Sequence, residues 1–162
     1  MACNDESVSP APGEPVTIVF KHSKLFGDPQ AFDALIKRFE DGHAGIRVRT
    51  EALPSSSDEQ HQFYVINLRA ESADFDVMAL DVIWVAEFAR AGWLRDLSET
   101  FATADREDFF KGPLAAIRYR DRVYAVPCSS TPVCSITART CSRSTNLSRP
   151  KPGKNCPKWR PR

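Results

Sequence analysis

Residues 75–80 of this 162-residue chain, Phe-Asp-Val-Met-Ala-Leu, decide its fold class. The run is mostly apolar, too short for a helix and bounded by polar residues, which is typical of a strand buried on both faces of a parallel sheet. Asp81 follows the run and is placed to cap a helix. The apolar face of that helix is formed by Val82, Val85, Phe88 and Ala89. The stretch therefore predicts a buried strand followed directly by a helix.

Two further strand–helix pairs precede this stretch. Residues 16–20 form an apolar, β-branched run that predicts a first buried strand. Asp28 and Pro29 then provide an N-cap and a first-turn proline for a helix that ends near Gly42. Its apolar face, at the spacing of one helix side, consists of Phe32, Leu35, Ile36 and Phe39.

The second pair and the elements after residue 97 continue the alternation. Residues 46–50 alternate as a half-buried strand, and Ser57 with Gln60 is a capping-box pattern that opens a helix through about Arg69. Residues 105–119 predict a further amphipathic helix, and a strand follows it. This order of elements predicts an α/β fold, an open and mainly parallel sheet flanked by helices.

A change of composition at Pro127 divides the chain. Residues 1–127 carry 14 basic and 21 acidic residues, a net charge of −7, whereas residues 128–162 carry eight basic residues and no acid. The second part also holds Cys128, Cys134, Cys141 and Cys156. These cysteines form no Cys-x-x-Cys pair and have no histidine nearby, so the spacing does not predict a metal site. We expect residues 128–162 to be disordered and the chain to use no cofactor.

The N-terminal residues 1–14 suggest a tether. Ala2 and Cys3, followed by a polar and proline-rich stretch, resemble the end of a bacterial lipoprotein signal, which would make Cys3 a lipidation site. An ordinary disordered N-terminus fits the same residues. The start lacks the basic and apolar regions of a complete signal peptide, so the chain as written would stay in the cytoplasm.

The candidate ligand site follows from the topology of parallel sheets, in which ligands bind beyond the carboxyl ends of the strands. That rule selects Asp81, Trp84 and the loop at residues 22–28. A carboxylate accepts hydrogen bonds from neighbouring sugar hydroxyls, and an indole can stack on a sugar ring. The alternative is that Asp81 is only a helix cap and Trp84 only a core residue. The sequence has no phosphate loop and no catalytic constellation, so it does not support an enzyme.

Residues 76–84, Asp-Val-Met-Ala-Leu-Asp-Val-Ile-Trp, together with Phe88-Ala89 and residues 91–97, resemble the sugar-binding proteins of bacterial ABC importers. The likeness is to the trehalose/maltose-binding type and covers residues 16–127. It implies a two-lobed, non-enzymatic receptor that delivers an oligosaccharide to a membrane permease, outside the cytoplasm and on a lipid anchor.

The resemblance also assigns residues to the sugar site. It implies that Asp81 binds sugar hydroxyls with Trp84 beside it, and that Asp28 lies where relatives often carry an acidic contact. Gln62 lies near the position at which some relatives place a sugar-binding arginine. The chain covers only the first part of such a receptor: a tether (1–14), a partial N-terminal lobe (15–127) and a basic tail (128–162). We therefore expect the fragment to be inactive.

A reading-frame error would explain the basic tail. If the codons from Cys128 onward are regrouped by one base, permitted codons give Leu-Val-Asp-Ala-Gly-Leu-Leu-Tyr-Tyr-Arg, the pattern that relatives carry at this place. We therefore hypothesise a one-nucleotide deletion at or near codon 128. The alternative is a nucleic-acid or partner-binding protein that uses its basic tail and Trp159.

Overall fold

The structure is a computed structural model that describes residues 15–23, 29–101, 106–107, 109–128 and 135–138. The strands are β1 (Val16–His22), β2 (Ile46–Ala52), β3 (Val77–Leu80), β4 (Arg118–Tyr119), β5 (Arg122–Val123), β6 (Val126–Pro127) and β7 (Ser135–Ala138). The helices are α1 (Pro29–Gly42), α2 (Ser57–Arg69), a 3₁₀ turn (Val82–Trp84), α3 (Val85–Arg90) and α4 (Lys111–Ala116).

Five of these strands form one sheet in the order β2-β1-β3-β7-β6. β1 lies between β2 and β3 and is parallel to both. β7 is antiparallel to β3 and to β6. Strands β4 and β5 pair separately as an antiparallel hairpin. The open, mainly parallel α/β sheet that the sequence predicts is confirmed.

The core lies where α2 and α3 cover the sheet. Tyr64, Phe75 and Phe88 are fully buried, and the Tyr64 ring contacts both phenylalanines edge to face, with its centroid 5.8 Å from Phe75 and 6.4 Å from Phe88. Met78 and Leu80 of β3 are buried in the same cluster. Aromatic rings in this arrangement contribute both buried area and favourable edge-to-face contacts. The cluster fixes α2 and α3 against β3.

Helix α1 has the predicted bounds, but its apolar face is only partly covered. Phe32 packs on the sheet, where its ring centroid lies 6.2 Å from Phe20. Leu35, by contrast, is 59% exposed, and no residue of α1 is buried. The helical period thus identifies the face correctly, whereas the extent of its burial depends on which other elements reach it.

Helix α2 begins one residue earlier than the capping box predicts. Its N-cap is Ser56, whose side chain accepts a hydrogen bond from the Glu59 backbone N–H at 3.4 Å. Ser57 is the first helical residue. The expected Ser57–Gln60 box is therefore shifted to Ser56–Glu59, and Gln60 instead donates its side-chain amide to the Pro54 carbonyl at 2.6 Å.

The predicted helix over residues 105–119 is too long. Helix α4 contains only Lys111–Ala116, and Arg118–Tyr119 form β4. Pro113 explains the late start, because proline lacks an N–H donor and is tolerated only in the first turn of a helix. Phe110 is accordingly extended, with φ −65° and ψ 143°, and its side chain is exposed.

Residues beyond Pro127 supply one element of the sheet. Ser135–Ala138 form β7, which departs from the expectation of a wholly disordered tail. Cys128, the residue after β6, is disulfide-bonded. The remainder of residues 128–162, with its basic side chains and Trp159, lies outside the described residues, as does the N-terminal segment 1–14 with Cys3. No helix in the described part of the chain is long and apolar enough to span a membrane.

Candidate functional site

The candidate site lies at the edge of the sheet where two parallel strands end. β1 ends at His22 and β3 ends at Leu80, and because the strands are parallel their carboxyl ends face the same edge. Asp81 follows β3 directly. Residues 24–28, which follow β1 and include Asp28, lie outside the described residues. The edge is the location that parallel α/β sheets offer to ligands.

Asp81 caps the 3₁₀ turn and keeps one carboxylate oxygen available. Its backbone is extended, with φ −66° and ψ 141°, and its Oδ1 accepts a hydrogen bond from the Ile83 N–H at 3.2 Å. The predicted capping role is confirmed. Within the described residues Oδ2 of Asp81 accepts no hydrogen bond, and the side chain is half-buried. A half-buried carboxylate with a free oxygen can accept a hydrogen bond from a ligand hydroxyl.

Trp84 belongs to the aromatic core beneath the edge. It is 7% exposed, and its ring stacks on Phe88 with the centroids 6.3 Å apart and the planes inclined by 24°. The His61 imidazole also lies next to it, with the ring centroids 5.2 Å apart. Ile83, one residue earlier, is 71% exposed instead. The 3₁₀ turn therefore directs the indole inward and the isoleucine outward.

His61 and Glu87 form a pair that the sequence analysis missed. His61 Nε2 lies 2.9 Å from Glu87 Oε2, which connects α2 to α3 beside Trp84. The two residues are 26 positions apart, and the three histidines show no spacing that would have indicated a partner. Only the packing of α2 against α3 brings them together.

Gln62 and His22 lie apart from these contacts. Gln62 is exposed on α2, and no contact among the described residues joins it to Asp81 or Trp84. His22 is buried at the end of β1, with its Nδ1 2.8 Å from the Ser23 carbonyl oxygen and its ring 5.1 Å from Phe32. His22 therefore packs with Phe20 and Phe32, between the end of β1 and α1.

Hydrogen bonds also hold two other carboxylates of the described residues, Glu51 and Asp96. The Lys21 ammonium forms an ion pair with Glu51 across β1 and β2, and the hydrogen bond from Lys21 lowers the pKa of that carboxyl. Hydrogen bonds from Ser98 likewise lower the pKa of Asp96. No group of three or more His, Cys, Asp or Glu side chains in the described ranges could hold a metal ion. The chemistry at the edge is thus that of a carboxylate acceptor next to apolar surface.

Comparison with protein families matches residues 24–137 to the bacterial extracellular solute-binding proteins. The chain belongs to that family. The match covers most of the chain and extends ten residues beyond Pro127. The resemblance drawn from residues 76–97 is thereby confirmed, and the family is one of binding proteins.

Two solved solute-binding proteins share the fold at about the same identity. Maltose-bound MalE3 of Thermotoga maritima is 30% identical, with a TM-score of 0.62, over 68% of this chain and 28% of its own. The GacH receptor of Streptomyces glaucescens, solved unliganded and with acarbose, is 31% identical, with a TM-score of 0.60 and the same two coverages. This chain therefore spans little more than a quarter of either receptor.

A curated relative is more similar over a shorter segment. An uncharacterized protein encoded in the bglA 3′ region of Thermotoga maritima is 43% identical over 54 residues, which are 33% of this chain and 55% of the relative. The chain thus spans about half the length of that relative.

Proposed function

We propose that this chain is the N-terminal part of the sugar-binding subunit of an ABC importer whose ligand is an oligosaccharide such as maltose or trehalose. Two observations support the ligand class. The receptors with about 30% identity were solved with maltose and with acarbose. In this chain, the residue after β3 is a half-buried carboxylate with a free oxygen. A permease would be the partner of the complete receptor.

Asp81 is the residue on which the proposal rests. A carboxylate can accept hydrogen bonds from two adjacent sugar hydroxyls, and such charge-assisted bonds are stronger than neutral ones. Asp81 follows β3 directly, so it lies at the edge of the sheet where β1 and β3 end. We propose that Trp84 supports the site from the core beneath it. Ile83 is the exposed apolar side chain next to Asp81. Asp28 and Gln62 remain proposed further contacts.

The isolated chain should not bind sugar measurably. A site of this design lies between two lobes, and the chain spans 28% of each similar receptor. Most of the hydrogen bonds and apolar contacts that confine a ligand would come from the parts of such receptors outside the matched 28%. Isothermal titration calorimetry with maltose and with trehalose should give no heat of binding, and saturable binding to the 162-residue chain would contradict the expectation that a second lobe is needed.

The role of Asp81 can be tested in the receptor obtained by extending the reading frame. Asp81→Asn should weaken maltose or trehalose binding by about 10-fold to 100-fold, because a hydrogen bond to a charged group contributes about 1.5–3 kcal/mol. The matched control is Asp58→Asn, an exposed aspartate in the first turn of α2. Equal affinities of the two variants would exclude Asp81 from the site and leave the family assignment intact.

The reading-frame hypothesis has its own test. Sequencing the gene and restoring one base near codon 128 should open a frame that continues through a second lobe. The matched region runs to residue 137, so the codons of residues 128–137 are those to examine first. A gene with no downstream frame would contradict the hypothesis.

We also propose that the complete receptor acts outside the cytoplasm and is tethered through Cys3. Replacement Cys3→Ser in the full precursor should release the receptor from membranes in cell fractionation. Retention of the variant in the membrane fraction would contradict the tether.

A further inference from the structure

His61 of α2 contacts one side of the helical turn that follows Asp81. Its ring centroid lies 5.2 Å from that of Trp84 and 5.6 Å from that of Phe88. Its Nε2 lies 2.9 Å from Glu87 Oε2. The three partners occupy positions i, i+3 and i+4, which lie on the same side of a helix. One side chain of α2 therefore contacts both the 3₁₀ turn and α3.

The hydrogen bond between His61 and Glu87 has a defined direction and a local effect. A carboxylate only accepts, so the His61 Nε2–H is the donor. The imidazole side chain is 30% exposed and the carboxylate side chain is 54% exposed. Polar pairs with this much access to water contribute little to the stability of a whole protein. The contact is therefore better suited to fix the position of α3 than to stabilise the core.

Asp81 depends on the same turn for its orientation. Its Oδ1 accepts a hydrogen bond from the Ile83 N–H at 3.2 Å, and its carbonyl accepts one from the Trp84 N–H at 3.1 Å. The 3₁₀ turn is followed directly by α3, with no residue between them. A shift of α3 would therefore be transmitted to the backbone that carries the Asp81 carboxylate.

We infer that His61 is a positioning residue for Asp81 and acts through Trp84 and Glu87. The inference rests on the proposed sugar site, because the carboxylate that His61 positions is the one proposed to accept the sugar hydroxyls. The role does not require His61 to touch the sugar. Hydrogen bonds weaken steeply once their geometry is poor, so a small displacement of Asp81 lowers the affinity.

Hydrogen exchange of the 162-residue chain tests the contact without any ligand. His61→Leu keeps an apolar side chain against Trp84 but removes the bond to Glu87. The backbone amides of residues 83–90 should therefore exchange at least about 2-fold faster. The amides of β3 should keep their rates, because strands on both sides hold β3 in place. Unchanged exchange of residues 83–90, or an equal acceleration in β3, would overturn the inference.

His43→Leu is the matched control. The His43 ring also stacks on an aromatic ring, with its centroid 4.2 Å from Phe39, and its Nδ1 lies 2.8 Å from the Phe39 carbonyl oxygen. The His43 carbonyl accepts a hydrogen bond from the Ile46 N–H, where β2 begins, at the opposite edge of the sheet from Asp81. The same substitution there should leave the exchange of residues 83–90 unchanged. Equal acceleration of these amides by the two variants would overturn the inference.

The sugar affinity of the complete receptor separates positioning from a merely structural role. His61→Leu should weaken maltose or trehalose binding by at least about 3-fold. His61→Gln, whose amide can still donate to Glu87, should retain most of the affinity. In the Asp81→Asn background, His61→Leu should weaken binding by less than about 2-fold, because the carboxylate that His61 positions is already gone. An equal loss in both backgrounds would overturn the inference.

The same measurements distinguish the failure of the positioning role from the failure of the proposed sugar site. An unchanged affinity of Asp81→Asn would overturn the sugar site and, with it, the role of His61 in sugar binding. Weaker binding by Asp81→Asn together with unchanged binding by His61→Leu would overturn the positioning role alone.

Discussion

Tyr64 shows how one side chain connects two strands to a helix. Its ring is fully buried on α2, and its hydroxyl donates to the Ala79 carbonyl at 2.8 Å and lies 3.3 Å from the Lys21 carbonyl. Those carbonyls belong to β3 and β1. The sequence marks Tyr64 as a helix residue, but its polar contact with the ends of two strands is a product of packing.

Replacement Tyr64→Phe should lower the free energy of unfolding by about 1–3 kcal/mol, because the buried Ala79 carbonyl loses its donor. Chemical denaturation measures the change, and the control is Tyr119→Phe, at a half-exposed position of β4. A similar loss in both variants would show that the hydroxyl of Tyr64 is not the cause.

Tyr64 should also make the folded protein less stable as the pH rises into the alkaline range. Burial raises the pKa of Tyr64 above its ordinary value of 10.0. As the pH rises, the unfolded chain therefore loses the Tyr64 hydroxyl proton at a lower pH than the folded protein does. The contribution of Tyr64 to the free energy of unfolding is complete below about pH 10 and falls above it. Stability measured from about pH 9 to pH 11 should decline less steeply in Tyr64→Phe than in the native chain. Parallel curves would contradict this assignment.

At the scale of elements, local chemistry specified most helices and strands but not all of their ends. The bounds of α1 follow from its period and flanking residues, and β3 was evident from its short apolar run. The start of α2 was misplaced because two adjacent serines could both act as the cap. The apolar spacing over residues 105–119 predicts a helix that is too long, because Pro113 is tolerated only in the first turn of a helix.

The two serines before α2 provide a matched test of the cap. Ser56→Ala should destabilise the protein by about 1 kcal/mol, because the Glu59 N–H loses its acceptor. Ser57→Ala, at the first helical position, should change the stability by less than about 0.5 kcal/mol. Thermal unfolding of both variants measures the difference. A larger effect of Ser57→Ala would show that Ser57 is the N-cap, as the sequence predicts.

The whole molecule exposes apolar side chains on two helices. Leu35 of α1 is 59% exposed and Ile66 of α2 is 66% exposed. Exposed apolar surface favours association with other molecules. The structure accordingly describes a lobe with a well-packed core between α2, α3 and β3 and with uncovered faces elsewhere.

The double variant Leu35→Gln with Ile66→Gln should reduce self-association without loss of stability, because neither side chain is in the core. Sedimentation velocity measures the association state. The control is Leu68→Gln on α2, where a side chain that is only 4% exposed should cost about 2–5 kcal/mol. Unchanged association of the double variant would place the association surface elsewhere.

The sequence by itself determined the class of sheet, the order of its first elements and the position of Asp81 at the end of β3, because these depend on local periodicity and on capping chemistry. The tertiary structure decided the rest. In the folded chain Trp84 packs in the core, His61 contacts Glu87, and β7 lies between β3 and β6. These are contacts between residues far apart in the chain, and they depend on how elements pack, which no local pattern of residues encodes.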